Sequence, residues 1–207
     1  MNNISFYFLS FFLFCCTPGP HTVYITEDGI LIESFEINQD STRHGTTRKY
    51  YSTGELFELS YYVNGILEGV RTLYYRNGVP EIKEKYCAGQ ICDTLFTFYA
   101  NGVKRFEGVY SGGEMNGITK GYYESGELKE EVTFKGNQEE GHFVEYYNNG
   151  KKKWEGFYLN GANEFGELVQ YDSTGIMIKK MMCDSIAICQ TIWTPELGDI
   201  KINPLFK

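Results

Sequence analysis

The chain has 207 residues, a net charge of −8 and an aromatic share of 16%, with 17 tyrosines. An acidic balance repels phosphate backbones and gives an anionic bilayer no electrostatic hold, which argues against nucleic acid as a partner. Tyr is a strand former with an apolar body and a polar tip, so the bias points to an all-β protein with half-buried surfaces.

The first sixteen residues read as a separate piece. "ISFYFLSFFLFCC", Ile4 to Cys16, is an apolar run followed at once by the breaker "TPGP". It falls short of the roughly 20 residues that span a bilayer and fits the core of an export signal. Its end, "LFCC", resembles a bacterial lipoprotein signal, which implies cleavage before Cys16 and acylation of that cysteine. Plain secretion or an uncleaved anchor is the alternative. Residues 17–22 then form a tether, and residues 23–207 a repeat domain.

A ruler runs through that domain. Units of the form aromatic-Tyr-x-x-Gly appear as YYSTG, YYRNG, FYANG, YYESG and YYNNG, then as YDSTG. They end at Gly54, Gly78, Gly102, Gly126, Gly150 and Gly175, at intervals of 24, 24, 24, 24 and 25. A degenerate copy ends at Gly29. Self-similarity at a fixed short period marks a repeat architecture. Eight residues after the ruler glycines stand Tyr62, Tyr86, Tyr110, Phe134, Tyr158 and Cys183. Between the rulers, Ile82 with Tyr86, Phe106 with Tyr110 and Trp154 with Tyr158 alternate with polar residues, a period of two and hence a strand. Asn, Ser or Thr before Gly supplies the turns. Each unit reads strand, turn, strand, turn. Residues 23–44 are the degenerate first copy, 45–189 the main array and 190–207 a capping hairpin, where Pro195 and Pro204 discourage further pairing.

These residues resemble the MORN-repeat family, and more closely its bacterial MORN-repeat-variant branch. The resemblance implies an elongated meander of successive β-hairpins, about 24 residues each, laid side by side into a twisted, curled sheet. The expected inner ladder is Tyr50, Tyr74, Phe98, Tyr122, Tyr146 and Tyr171 together with the Tyr62 to Tyr158 series. The second tyrosines, Tyr51, Tyr75, Tyr99, Tyr123 and Tyr147, then fall on the opposite face. Two roles fit them: rings that stack across strands and hold the sheet, or an aromatic recognition strip.

Cys87 and Cys92 bracket one inter-hairpin turn, and Cys183 and Cys189 bracket the corresponding turn four units on. Residues flanking so short a turn face each other at a separation a disulfide bridges. The two sites lie on the order of 38 Å apart in an extended sheet, too far for one shared zinc. Two disulfides match an exported protein; unpaired buried cysteines are the alternative.

No reactive constellation appears. His21 falls in the tether, His44 ahead of the first full repeat and His142 at a strand start, and all three read as surface residues. Nucleophile elbows, zinc-binding helices and phosphate loops are missing. The expectation is therefore no enzyme, no cofactor and no metal. It is instead a lipid-anchored protein of a bacterial envelope that binds an unidentified protein partner through its repeat sheet. The resemblance also implies two rivals, an antitoxin-like inhibitor of a protein toxin and a lipid-headgroup-contacting module.

Overall fold

The computed structural model describes residues 21–201; the apolar run, Cys15, Cys16 and the terminal "INPLFK" with Pro204 lie outside them. The described residues contain no helix and form nineteen strands. In order they are β1 (His21–Glu27), β2 (Ile30–Ile37), β3 (Arg43–Tyr50), β4 (Leu56–Val63), β5 (Ile66–Leu67), β6 (Gly69–Tyr74), β7 (Pro80–Cys87), β8 (Gln90–Ile91), β9 (Thr94–Phe98) and β10 (Lys104–Ser111). There follow β11 (Glu114–Met115), β12 (Gly117–Tyr122), β13 (Leu128–Lys135), β14 (Gln138–Tyr146), β15 (Lys152–Leu159), β16 (Asn163–Tyr171), β17 (Met177–Cys183), β18 (Cys189–Thr194) and β19 (Gly198–Asp199). The short pieces β5, β8 and β11 each run on into the next strand after a brief interruption. With each short piece counted as one strand with the next, every neighbour along the chain pairs antiparallel, and the sheet is open, with no pairing between β1 and β19.

Turn chemistry sets the two edges of this ribbon. Along one edge run the five-residue turns that begin at Tyr51, Tyr75, Tyr99, Tyr123 and Tyr147. In each, the Tyr amide donates to a carbonyl four residues on, at 2.8–2.9 Å, and the ruler glycine donates back to the Tyr carbonyl. Gly54, Gly78, Gly102, Gly126 and Gly150 hold φ between +77° and +101°, a region that resists any side chain. Along the other edge run the short turns Asn64-Gly65, Ala88-Gly89, Gly112-Gly113, Gly136-Asn137 and Asn160-Gly161. There Gly65, Gly89, Gly113, Asn137 and Gly161 each donate a backbone bond at 2.7–3.1 Å to the carbonyl of a strand residue just past the preceding unit's turn, Arg43, Leu67, Ile91, Met115 and Glu139 in that order. This second edge is thus stitched from unit to unit, beyond the strand ladders themselves.

A bulge sits beside every Tyr turn. Tyr50 pairs with Leu56 but Lys49 with Glu58, so Phe57 is extra; Glu81, Arg105, Lys129, Lys153 and Ile178 are extra in the later units. Bulges bend a strand and increase its twist.

The two faces differ. One, the covered face, carries Thr47, Glu58, Ser60, Thr119, Phe143, Leu168 and Cys183, each 7% exposed or less. Its C-terminal half is apolar: Phe143 stacks on Tyr158 at 4.2 Å between ring centroids, and Leu168 and Cys183 pack beside them with Val132, Trp154 and Met181. Burying Phe143 and Leu168 contributes about 1.5–3 kcal/mol each. In four units the aromatic of the second strand faces a glycine on its neighbour, Tyr62 with Gly45, Tyr86 with Gly69, Phe134 with Gly117 and Tyr158 with Gly141. The other, open face seals only a middle row that includes Ser34, Thr72, Val144 and Val169.

Candidate binding surface

The second tyrosines are staples. Tyr51 donates its hydroxyl to the Tyr74 carbonyl at 2.7 Å, Tyr75 to Phe98 at 2.8 Å and Tyr99 to Tyr122 at 2.8 Å. Tyr123 donates to Tyr146 at 2.7 Å and Tyr147 to Tyr171 at 2.9 Å. Each side chain therefore reaches from its own turn to the backbone of the next unit. Asparagines repeat the move at the turn tips, Asn77 to the Ala100 carbonyl and Asn149 to that of Ser173. All five rings are half-buried. Tyr75 and Tyr99 also wall a cleft of about 460 Å³ with Phe106, Arg105, Lys129 and Glu130.

The face assignment needs correction. Tyr62 pairs with Gly45, and alternation from Gly45 puts Thr47 and Lys49 on the covered face and Tyr50 on the open one. The first tyrosines therefore lie opposite the Tyr62 to Tyr158 series. The second tyrosines lie toward the covered side, where Tyr75 and Tyr99 share the cleft with Ile82 and Phe106. Counting alternation across each Tyr turn fails because of the bulge.

On the open face the first tyrosines meet carboxylates. Tyr122 donates to Glu107 at 3.0 Å, Tyr146 to Glu131 at 3.3 Å, and Tyr171 to Glu155. Burial, and then the bond to Glu107, push the Tyr122 phenol up to about 12; for Tyr171 the bond to Glu155 leads and burial adds, again to about 12. Burial pushes the Glu107 and Glu155 carboxyls up, but Lys104 and Lys152 outweigh it and both end below the usual range. At neutral pH these are protonated phenols bonded to ionised carboxylates, a structural arrangement with no proton poised to move.

The covered face holds a polar cluster that the sequence reading missed. Glu58, with its side chain 3% exposed, accepts from Lys49 at 3.1 Å, Ser60 at 3.0 Å and Arg71 at 3.3 Å. Arg71 continues to Glu84 at 3.3 Å, which also accepts from the Tyr86 hydroxyl at 2.9 Å. Burial raises the Glu58 carboxyl, yet its three partners outweigh that and hold it below the ordinary range. The same position holds Ile82, Phe106 and Trp154 in three other units and the charged Glu130 and Lys179 in two. An acid at a position that is apolar in half of the units, with Lys49 and Arg71 close by in sequence, was the available signal.

The open face carries a second pattern that was missed. Tyr61, Val70, Val109, Ile118, Phe157 and Phe165 are 43–56% exposed. Tyr61, Val109 and Phe157 are 48 residues apart, and in the units between them Lys85 and Thr133 take the same place. Tyr61 and Val70 lie on the paired strands β4 and β6, Val109 and Ile118 on β10 and β12, and Phe157 pairs with Phe165 on β15 and β16. On their other sides Val70 meets Lys85 and Ile118 meets Thr133. An exposed apolar pair thus returns at every second unit, about 19 Å apart at four strand spacings.

Cys87 and Cys92 are bonded with Cα atoms 5.7 Å apart, and Cys183 and Cys189 with Cα atoms 4.0 Å apart. No group of three potential metal ligands converges among the described residues. His44 contacts Asn64 and His142 stacks edge-on against Phe157, while His21, expected in the tether, opens β1. The family model for the MORN repeat variant matches residues 43–64, 67–88 and 115–135. These are MORN-variant repeats. The matched segments fall within the β3–β4, β5–β7 and β11–β13 hairpins, so the family's unit and the observed hairpin coincide. MORN repeats are binding and scaffold modules in general, and their family is generally non-catalytic. No curated protein matches the chain.

Proposed function

We propose that this chain is a non-enzymatic binding or scaffold protein, tethered through an acylated Cys16 to a membrane of the bacterial envelope, whose open face receives a protein partner. One observation carries the binding assignment: exposed apolar pairs recur at every second unit on a sheet that is stitched along both edges. A stiff backbone with evenly spaced apolar contacts suits a partner that is itself extended or repetitive, because little ordering entropy is lost on the sheet's side. Apolar residues that recur on one face, with polar residues between them, are the kind of patch that marks an interaction surface. The two bonded cysteine pairs favour an oxidising compartment and disfavour a cytoplasmic toxin inhibitor.

Two experiments test the reading. Fractionation of a Cys16→Ser variant is expected to move the protein from the membrane to the soluble fraction; an unchanged distribution would remove the anchor. Photo-crosslinkers at Val70, Ile118 and Phe165 of the full chain are expected to trap one common partner, while one at Tyr86, on the covered face, traps none. Equal labelling from both faces would remove the open-face site.

A further inference from the structure

The two ends of the sheet are unlike. At the C-terminal end β19 has two residues and follows Pro195, a short edge of the kind that discourages pairing. At the N-terminal end β1 has seven residues, "HTVYITE", and among the described residues pairs with β2 alone. The register shift in that pairing skips Ile32, so the extra residue belongs to β2 and β1 itself is unbroken. All of β1 except Val23 is exposed, Tyr24 at 67% and Ile25 at 39%. It contains no proline and no lysine, the usual devices for keeping an edge unpaired.

We propose that β1 is the contact by which two copies of this chain join into one continuous sheet. Its sequence is complementary to itself in the antiparallel sense. Centred on Tyr24, it places Tyr24 against Tyr24, Val23 against Ile25, Thr22 against Thr26 and His21 against Glu27. Every opposed pair is compatible: ring with ring, β-branched apolar with β-branched apolar, hydroxyl with hydroxyl, and imidazole with carboxylate. The register with β2 sets His21, Val23 and Ile25 opposite Ile37, Phe35 and Glu33, on the covered face. Two copies would therefore bring both Val23–Ile25 pairs beside Phe35 and extend that face across the junction. A twofold axis at Tyr24 closes the assembly, because it uses the only long free edge on each copy among the described residues.

The test uses the full-length chain. Directly opposed antiparallel residues have Cα atoms about 4.5–5.5 Å apart, within disulfide reach. A Tyr24→Cys variant, oxidised and run without reductant, is expected to cross-link to itself several-fold more than a Tyr61→Cys control on the open face. His21→Glu sets glutamate against Glu27 across the junction and is expected to lower that cross-link; adding Glu27→Lys restores it. Both residues are exposed, so neither change threatens the fold. A Tyr24→Cys chain that cross-links no better than the control, is indifferent to the charge changes, or is trapped on a different protein would overturn the proposal.

Discussion

Replacing Tyr99 by Phe isolates the role of the second tyrosines. The ring stays and one hydroxyl leaves, so the 2.8 Å bond to the Tyr122 carbonyl is lost and nothing else in the turn changes. A neutral hydrogen bond contributes about 0.5–1.5 kcal/mol net. A single Tyr99→Phe change should therefore cost about 1 kcal/mol. The five staples sit two strand spacings apart, roughly 10 Å, where effects add. Phe at Tyr51, Tyr75, Tyr99, Tyr123 and Tyr147 together should cost about 5 kcal/mol, comparable with the whole stability of many domains. Urea unfolding followed by the fluorescence of Trp154 and Trp193 reads this as a falling midpoint with unchanged slope. Tyr61→Phe, whose ring is 43% exposed on the open face, serves as the control and should leave the midpoint in place. If Tyr99→Phe matched the wild type within about 0.2 kcal/mol, or the control cost as much, the staple reasoning would fail.

Glu58→Gln leaves Lys49 and Arg71 facing a neutral group in a covered site and should cost about 3 kcal/mol by the same unfolding assay. The folded Glu58 carboxyl lies below its unfolded value, so its contribution is complete above the ordinary carboxylate pKa and fades as pH falls through the folded one. Wild-type stability should accordingly drop more steeply than that of Glu58→Gln across that acid window. A Cβ at Gly156 would stand 2.7 Å from a Leu168 methyl and 3.1 Å from the Phe143 ring. Gly156→Ala should thus cost about 1–3 kcal/mol in thermal or urea unfolding, and adding Leu168→Val should recover part of it. Labelling of the unfolded, unreduced protein should leave Cys87, Cys92, Cys183 and Cys189 unmodified, with all four reacting once reductant is added; labelling without reductant would contradict both bridges.

The hairpin architecture was legible because it is written twice. The ruler glycines give the period, and the alternation of Ile82 with Tyr86 or Trp154 with Tyr158 gives the strand. The cysteine pairs were legible for the same reason, since each brackets a turn already placed. The face of each tyrosine was not. One extra residue beside every Tyr turn, Phe57 or Arg105 for example, resets the alternation, and a bulge leaves no mark in a pattern of polar and apolar letters. Nor was the destination of the second tyrosines' hydroxyls visible. It depends on how far one unit is displaced from the next, a three-dimensional quantity. The Glu58 cluster and the two-unit rhythm of the open face were written in the sequence but required comparing units with one another, since within a single unit each is an unremarkable residue.

Amide hydrogen exchange tests the central claim most directly, because it reads the stitched meander residue by residue. The account predicts slow exchange at Tyr51, Tyr75, Tyr99, Tyr123 and Tyr147, whose amides each close a turn, and again at Gly65, Gly89, Gly113 and Gly161, which tie each unit to the one before. Both sets should recur with the period of the ruler glycines. Rapid exchange at these amides, or protection in continuous blocks that ignore that period, would contradict it.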